Sequence, residues 1–221
     1  MADAILPLLR SRIYKILSLC LVYPDDDSFS YMAKEAAGDL QECLARLPYG
    51  EALADPMQAF RSAVEKEVVN GKLLDLQVEH TSMFIYPRPE IPCPPYESIY
   101  VEKVRRLMGD STMDVKKRYN EHKLALSDQF KDLPDHVSAE LEFMHYLAYS
   151  EAEANAAGKT EESASFAESE KSFLADHLLR WLPKFADCLK AKSSSGLIVS
   201  ASRMASEFAD EDLKFLAGPR D

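Results

Sequence analysis

The sequence has few glycines, 7 in 221 residues, and it contains no low-complexity tract, which argues against a disordered protein. Basic residues are also in the minority: 26 lysines and arginines stand against 37 aspartates and glutamates, so the formal net charge is −11. A nucleic-acid-binding protein would be expected to carry a basic face, and this class is therefore disfavoured. An acidic surface suits a cationic partner, such as a peptide that carries arginines.

Cysteine is scarce too, and no Cys-x-x-Cys pair occurs among the 4 cysteines Cys20, Cys43, Cys93 and Cys188. Three of them, Cys20, Cys43 and Cys188, lie in helical apolar patterns and are expected to be buried thiols. The wide spacing suggests neither a disulfide framework nor a zinc site, and it fits a reducing compartment.

Long hydrophobic runs are missing, since no segment approaches the ~20 apolar residues of a membrane span. The apolar run 16–23 is followed by Pro24 and three aspartates, and not by the small-residue cleavage site of a signal peptide. We therefore expect a cytoplasmic protein without stable membrane insertion.

Motifs of common catalytic and nucleotide-binding sites are missing as well. The sequence has no Gly-x-Ser-x-Gly, no P-loop, no Gly-x-Gly-x-x-Gly and no cysteine in a papain-like or caspase-like context. The sequence therefore predicts no assembled catalytic site.

Helical periodicity is present in nearly every segment. In the first helix, for example, Ile5, Leu9, Ile13 and Ile16 recur at intervals of three and four residues. Strand candidates and repeats of fixed period are absent, so a solenoid is disfavoured. These patterns predict an all-α fold, a single globular bundle of about ten helices.

The segment YPRPEIPCPPYESIY, residues 86–100, holds five prolines between Pro87 and Pro95. Proline lacks an amide donor and restricts the residue before it to extended conformations, so helix and central strand are excluded here. The aromatic residues and Ile91 make the segment too apolar for a solvated linker. We predict a stiff, packed loop that suits a binding surface.

A second notable segment is DLPDHVSAELEFMHYL, residues 132–147, whose residue types could serve a metal site, an acid–base pair, a helix cap or a pocket for another chain. Glu142 and His145 form the Glu-x-x-His pair of helical di-iron proteins, but those proteins need two copies and no second copy occurs. At 100° per residue this pair lies opposite the apolar arc, on the predicted solvent face. His177 and Trp181, which share a helix face, are predicted to be a core aromatic residue with a hydrogen-bonded histidine.

His136 and Glu140 fall within the apolar arc of the same helix. Their burial would cost a few kcal/mol each without partners, so they either belong to a structural network or border a pocket. Asp135 is predicted to lie in the first turn of this helix with Pro134, where a carboxylate complements the exposed amides.

Five segments together match one known family in order and spacing. They are VEHTSMFIYP (78–87), PCPPYESIY (92–100), MGDST (108–112), LPDHVSAELEFMHYL (133–147) and FLADHLLRWLPKF (173–185). On these segments the chain resembles the TorD/DmsD family of redox-enzyme maturation chaperones, which is related more distantly to the NarJ type. The resemblance implies an all-helical fold, no catalysis and no bound cofactor or metal.

The resemblance further implies a partner. Members of the family bind the twin-arginine leader, and the apo form, of a molybdenum-cofactor oxidoreductase subunit like those of DMSO and TMAO reductases. They hold this subunit in the cytoplasm until the cofactor is inserted, and export follows. The same role is implied for this chain, as a monomer or a homodimer.

The family's Pro-Asp-His segment lies in a hinge-like connection beside the peptide-binding surface. The implied peptide-binding residues are Pro134, Asp135, His136 and Glu140, followed by Phe84, Pro95, Tyr96, Ser98, Tyr100 and Gly109. A leader that is cationic at one end and apolar after it needs carboxylates beside an apolar groove, and Glu79 could join Asp135 and Glu140 in supplying them. Alanine at Asp135 or His136 is expected to weaken leader binding and leave the fold intact.

One domain, residues 1–221, is therefore expected, with an N-terminal region at residues 1–124, a hinge at residues 125–135 and a C-terminal region at residues 136–221. Two other functions stay open. One is a helical metal-dependent or cofactor-binding enzyme built on the pairs Glu142/His145 and Glu140/His136. The other is a structural subunit of a reductase complex.

Overall fold

The computed structural model describes residues 5–87, 89–103, 106–127 and 130–218. In these residues the backbone forms α-helices and no β-strand, apart from one isolated antiparallel bridge between Tyr96 and His136. The predicted all-α fold is confirmed. The helices are α1 (Ile5–Leu21), α2 (Asp26–Tyr31), α3 (Ala37–Ala45), α4 (Ala54–Val64), α5 (Leu73–Phe84), α6 (Glu97–Val101), α7 (Asp110–Glu121), α8 (Val137–Ala156), α9 (Thr160–Phe173), α10 (Leu179–Lys192) and α11 (Gly196–Ala217).

The core forms where α1 packs along α8 and where α11 packs against α1, α4 and α10. The apolar face predicted for the first helix is confirmed, since Leu9, Ile13 and Ile16 are buried. Large side chains that are fully buried include Tyr14, Phe60, Phe173, Trp181, Phe185 and Phe208. None of the described helices is both long and apolar enough to cross a membrane.

A buried ion-pair network, the Arg10 network, ties α1 to three later helices. The Arg10 guanidinium donates from Nη1 to Glu151 Oε2 over 2.9 Å and from Nε to Asp212 Oδ1 over 2.6 Å. Its Nη2 donates to Glu170, and the Tyr14 hydroxyl donates to Asp212. A buried charge without a partner would cost several kcal/mol, so the network specifies how α1, α8, α9 and α11 pack.

The predictions for the cysteines are correct for two residues and wrong for two. Cys20 and Cys43 are buried free thiols, but Cys93 and Cys188 form a disulfide, with Cα atoms 5.9 Å apart. Their separation of 95 positions along the chain gives no sequence signal of this contact. It arises because the proline-rich loop packs on α10, where Lys192 Nζ also donates to the carbonyl of Pro92.

The connection between α7 and α8 contains the predicted hinge, residues 125–135, of which 128 and 129 lie outside the described residues. It is tied back to α7, because the Tyr119 hydroxyl donates to the carbonyl of Pro134 over 2.9 Å. Lys123, two residues before the predicted hinge, has a positive φ of 59°. The division of the chain into two regions around this connection stays a prediction.

Candidate functional site

The proline-rich loop and the Pro-Asp-His segment, which are far apart in the sequence, pair through their backbones. Besides the bridge between Tyr96 and His136, the amide of Val137 donates to the carbonyl of Pro95 over 2.9 Å. The amide of Glu97 donates to the carbonyl of Asp135 over 3.0 Å. The structure therefore brings together two of the segments in which peptide-binding residues were predicted.

Asp135 is fully buried, and its carboxylate acts on a different helix from the one predicted. Its Oδ2 accepts from the amide of Ser98 over 3.0 Å, so it caps the start of α6. The prediction that Asp135 lies in the first turn of α8 is wrong, because α8 begins at Val137 and His136 is its N-cap. The pairing of Asp135 with Glu97 holds its backbone outside the helix.

This burial also bears on the expected effect of an alanine at Asp135. Removal of the carboxylate would leave the amide of Ser98 without its acceptor, in a place that water does not reach. An unsatisfied buried donor costs about 1–3 kcal/mol. An intact, unweakened fold is therefore no longer expected for this variant.

Glu140 and His136 are both buried, as their positions in the apolar arc predict. Glu140 Oε2 accepts from Nε1 of Trp181 over 3.0 Å, and Nδ1 of His136 accepts from the amide of Ser138 over 3.2 Å. Each therefore has its own partner, and the structural network is the alternative that the structure favours. Burial and the neighbouring charge of Glu97 raise the pKa of Glu140 well above its usual range.

Glu97 completes a buried acidic cluster, which we define as Glu97, Asp135 and Glu140. Its Oε2 lies 3.0 Å from Nδ1 of His177, a residue that was predicted to be a hydrogen-bonded core histidine. Burial and the charges of Glu140, Asp135 and Glu97 raise the pKa of Tyr119, which lies beside all three. Within the described residues no lysine or arginine forms an ion pair with this cluster. Sequence reasoning missed Glu97, because its contact with His177 joins residues 80 positions apart and leaves no local pattern.

Asp132 is the carboxylate of this region that solvent reaches, with a side chain that is 39% exposed. It accepts from the Tyr96 hydroxyl, and its Oδ2 lies 3.8 Å from Nε2 of His136. The His136 ring packs edge-on against Tyr96 at 5.4 Å and against Phe130 at 6.0 Å. We call these four residues, Tyr96, Phe130, Asp132 and His136, the hinge face. Sequence reasoning missed Asp132, whose spacing of four residues from His136 was the available signal.

An aromatic wall supports this region from within. Tyr100 stacks on Trp181 with ring centroids 5.6 Å apart, and Phe84 packs on Phe185 at 5.8 Å. Phe84 is buried and Tyr100 is partly buried. These two predicted site residues therefore belong to the aromatic packing behind the hinge face and are not part of the face itself.

Two further predicted site residues, Glu79 and Gly109, make their contacts outside the acidic cluster. Glu79 accepts from the Ser193 hydroxyl and from the amide of Ser194, both over 2.7 Å, and so holds the connection between α10 and α11. Gly109 is the N-cap of α7, where a Cβ atom would lie only 2.5 Å from the carboxylate of Glu102. Neither residue joins the acidic cluster.

The Glu142–His145 pair is half-buried against α1, and not on an open solvent face as predicted. Lys15 Nζ donates to Glu142 Oε1 over 2.7 Å, and Nδ1 of His145 lies 2.8 Å from the Ser11 hydroxyl. The prediction failed because α1 packs along this side of α8. Among the described residues, no group of three or more His, Cys, Asp and Glu side chains is arranged to hold a metal ion.

Comparisons with known proteins agree with one another. The sequence model described as nitrate reductase delta subunit matches residues 48–187. The chaperone protein TorD of Photobacterium profundum is 28% identical over 167 residues, which cover 75% of this chain and 76% of that protein. The perchlorate reductase assembly chaperone protein of Dechloromonas aromatica is 27% identical over 214 residues, or 94% and 89% of the two chains. A solved redox enzyme maturation protein from Archaeoglobus fulgidus superposes with a TM-score of 0.51 at 26% identity, covering 95% of this chain and 94% of that one.

Proposed function

Because the chain belongs to the nitrate reductase delta subunit family, we propose that it is a non-catalytic chaperone of redox-enzyme maturation. Its client is the apo form of the catalytic subunit of a molybdenum-cofactor oxidoreductase. The chaperone recognises the twin-arginine leader of this subunit and holds the subunit in the cytoplasm until the cofactor is inserted. The names of its relatives, TorD and a perchlorate reductase assembly chaperone, support a reductase client.

The observation that carries the leader-binding proposal is the partly exposed carboxylate of Asp132 beside the rings of the hinge face. A twin-arginine leader presents guanidinium groups next to an apolar stretch, and a carboxylate beside aromatic surface complements both. We assign the arginine contact to Asp132, because Asp135 and Glu140 are fully buried. In this proposal Asp135 and His136, which are both buried, position Tyr96, Phe130 and Asp132 from behind.

Calorimetry with a synthetic leader peptide tests this assignment. The peptide carries two adjacent arginines followed by an apolar stretch of about twelve residues. The Asp132→Asn variant keeps an oxygen for the Tyr96 hydroxyl and loses the charge, so we expect about 10- to 100-fold weaker binding. The matched control is Asp187→Asn, which neutralises an exposed aspartate on α10.

Equal affinity of Asp132→Asn and the unaltered protein would show that the arginines bind elsewhere. If the unaltered protein does not bind the peptide at all, leader recognition is wrong. The chaperone role would then depend on whether the chain co-purifies with an apo reductase subunit.

We further propose that residues 125–135 act as a hinge between residues 1–124 and residues 136–221, so that leader binding changes how the connection is held. The described residues of the connection between α7 and α8 contain no α-helix. Limited proteolysis is expected to cut this connection in the free protein and to cut it more slowly when the peptide is bound. An identical cleavage rate with and without peptide would count against a hinge.

A second candidate function is that of a permanent subunit of a reductase complex, which the description of the family as a delta subunit favours. Co-purification from anaerobically grown cells separates the two candidates. A chaperone is expected with the apo subunit and absent from the cofactor-loaded enzyme, whereas a structural subunit stays with the loaded enzyme.

A further inference from the structure

Helix α5 carries large apolar side chains on its outward face. Leu74, Val78 and Ile85 are 65%, 61% and 53% exposed. Their spacing of four and seven residues places them in one row along the helix, since side chains three and four residues apart share a face. Tyr23 and Tyr86, which are 46% and 57% exposed, flank this row. We call these five residues the outer stripe.

The outer stripe is not needed to hold α5 in the fold. The opposite face of the helix buries Leu76, Met83 and Phe84 in the core. A surface helix ordinarily has one apolar face, and a contiguous exposed patch of large apolar side chains marks an interaction site. The second apolar face of α5 therefore requires an explanation outside the folding of the chain itself.

A groove of about 320 Å³ runs between α5 and Tyr23 beside this stripe. Gln77 Nε2 fixes one side of it by donating to the carbonyl of Pro24 over 2.9 Å. Ser82 and Thr81 add hydroxyl groups to the lining. The groove is thus built from a helix and a segment that are held together, and it is mainly apolar.

The charges near the groove are mainly negative. Asp75 is exposed on α5 and Pro24 is followed by three aspartates, while Lys72 at the start of α5 is the neighbouring cation. Asp26 and Asp27 are exposed. An acidic rim repels an anionic membrane surface, and a second copy of the chain would present the same acids. The rim instead favours a partner that is basic at one end and apolar beyond it.

The length of the stripe fits the apolar stretch of an export leader. Eleven residue steps separate Leu74 from Ile85, which is about 16 Å along a helix. The apolar region of an export signal comprises about 7–15 residues, or ~10–22 Å when it is helical. The stripe is also continuous with the support of the hinge face, because the Tyr23 ring packs on His80 at 5.3 Å and His80 packs on Phe84 at 4.6 Å.

We propose that the outer stripe of α5 binds the apolar stretch of the client's leader, which lies as a helix along α5 while its arginines contact Asp132. This inference rests on the proposed function and extends it, since it assigns the apolar half of the ligand to a separate surface. It adds a groove formed by α5 and Tyr23 to the hinge face formed by the two paired segments.

The double variant Leu74→Gln/Val78→Gln tests the proposal, because glutamine is a good helix former and removes apolar surface. The matched control is Met113→Gln, a substitution at a side chain that is 58% exposed on α7. Each protein is titrated with two synthetic peptides. One has two adjacent arginines and an apolar stretch of about twelve residues, and in the other that stretch is replaced by glycine and serine.

We expect the double variant to bind the complete peptide about 10- to 100-fold more weakly than the unaltered protein does. Both proteins are expected to bind the glycine–serine peptide equally, and Met113→Gln is expected to behave as the unaltered protein. Circular dichroism melting of the double variant verifies that it is folded.

Unchanged affinity of the double variant for the complete peptide overturns the stripe assignment and leaves leader binding in place. Failure of the unaltered protein to bind either peptide overturns both proposals. Sedimentation gives a third outcome: a dimer of the unaltered protein that the double variant abolishes, with peptide affinity unchanged, identifies the stripe as a contact between two copies and rejects the leader assignment.

Discussion

Two groups of buried acids lie near the two ends of α8, and they are neutralised in different ways. Near the C-terminal end, Glu151 belongs to the Arg10 network, in which a guanidinium bonds to three carboxyl groups. Near the N-terminal end, Glu140 belongs to the acidic cluster, which has no ion pair with a lysine or arginine in the described residues. The Trp181 ring and one backbone amide donate to it, and the His177 ring lies 3.0 Å from Glu97.

This comparison shows two ways in which an acidic chain can bury carboxyl groups. Burial raises the pKa of a carboxyl group in both places, Glu170 in the Arg10 network and Glu140 in the acidic cluster, but only the Arg10 network contains a guanidinium. A network with a fixed cation specifies one packing of the helices. A cluster held by single donors near the hinge face is less constrained, which suits the region of the molecule that we propose to respond to a ligand.

The largest expected effect breaks the Arg10 network. Arg10→Leu leaves Glu151 and Asp212 buried without their cation, so we expect a loss of about 3–5 kcal/mol in the free energy of unfolding. Urea unfolding measures this loss. The control is Arg12→Leu, because Arg12 is 42% exposed and its pair with Asp39 is worth less than about 1 kcal/mol. Equal losses in the two variants would mean that the network does not govern helix packing.

The next effect is a loss of stability at acidic pH. It tests whether the fold near the acidic cluster requires buried groups to be uncharged. Burial and the neighbouring His136 lower the pKa of His80 to about 4. His80 is then neutral in the folded chain, while the unfolded chain takes up its proton near pH 6.5. The contribution of His80 to the free energy of unfolding is therefore fully present above that pH. It falls by about 3 kcal/mol in total as the pH drops from about 6.5 towards 4.

The variant His80→Phe isolates this contribution, because phenylalanine fits the ring contacts with Tyr23 and Phe84 and does not titrate. We expect its urea midpoint to fall less than that of the unaltered protein between pH 7 and pH 4. His136, whose pKa is also lowered by burial, accounts for some of the remaining fall. Parallel pH profiles for the two proteins would show that His80 is protonated in the folded state.

A smaller effect tests the donors on which the acidic cluster depends. Asp135→Ala removes the acceptor of the Ser98 amide, and we expect a loss of about 1–3 kcal/mol together with faster hydrogen exchange at Ser98. Asp187→Ala, at an exposed position on α10, is expected to change neither. Loss of leader binding by Asp135→Ala without any change in exchange would give Asp135 a direct contact with the peptide.

Local patterns predicted the helices and the burial of His136 and Glu140, because helical periodicity is a property of neighbouring residues. Helix-start signals, namely Pro134 and a carboxylate suited to the exposed amides, placed Asp135 inside α8. They could not reveal that the backbone of Asp135 pairs with Glu97 in a distant loop.

The candidate site could be predicted only where its residues lie together in one short segment of the sequence. The disulfide between Cys93 and Cys188 and the ties between Tyr96, Asp132 and His136 all depend on how the proline-rich loop packs. Apart from the four-residue spacing of Asp132 and His136, no spacing in the sequence encodes these contacts. The α1 packing that half-buries Glu142 was missed for the same reason.

The smallest expected effect is found by replacing one carboxyl group from each group of buried acids, Glu140 and Asp212, with the corresponding amide. In Glu140→Gln the side-chain oxygen still accepts from Trp181, and the amide has the shape of the protonated carboxyl that the raised pKa favours. We therefore expect a change of less than about 1 kcal/mol near pH 4, where the unfolded chain also holds the proton, and a more stable variant at pH 7. The equivalent change Asp212→Asn removes the charge opposite Arg10 and is expected to cost about 2–4 kcal/mol.

The pH dependence of the stability of Glu140→Gln decides whether Glu140 is protonated in the folded chain. A carboxyl whose pKa is raised in the folded state takes up a proton on folding, so it lowers stability progressively as the pH rises above the ordinary carboxyl range. The glutamine variant is expected to have a flatter stability profile from about pH 5 to pH 8. A large loss at pH 7 with an unchanged slope would mean that Glu140 is ionised. The acidic cluster would then need a compensating cation, as the Arg10 network does, and the contrast between the two ends of α8 would not hold.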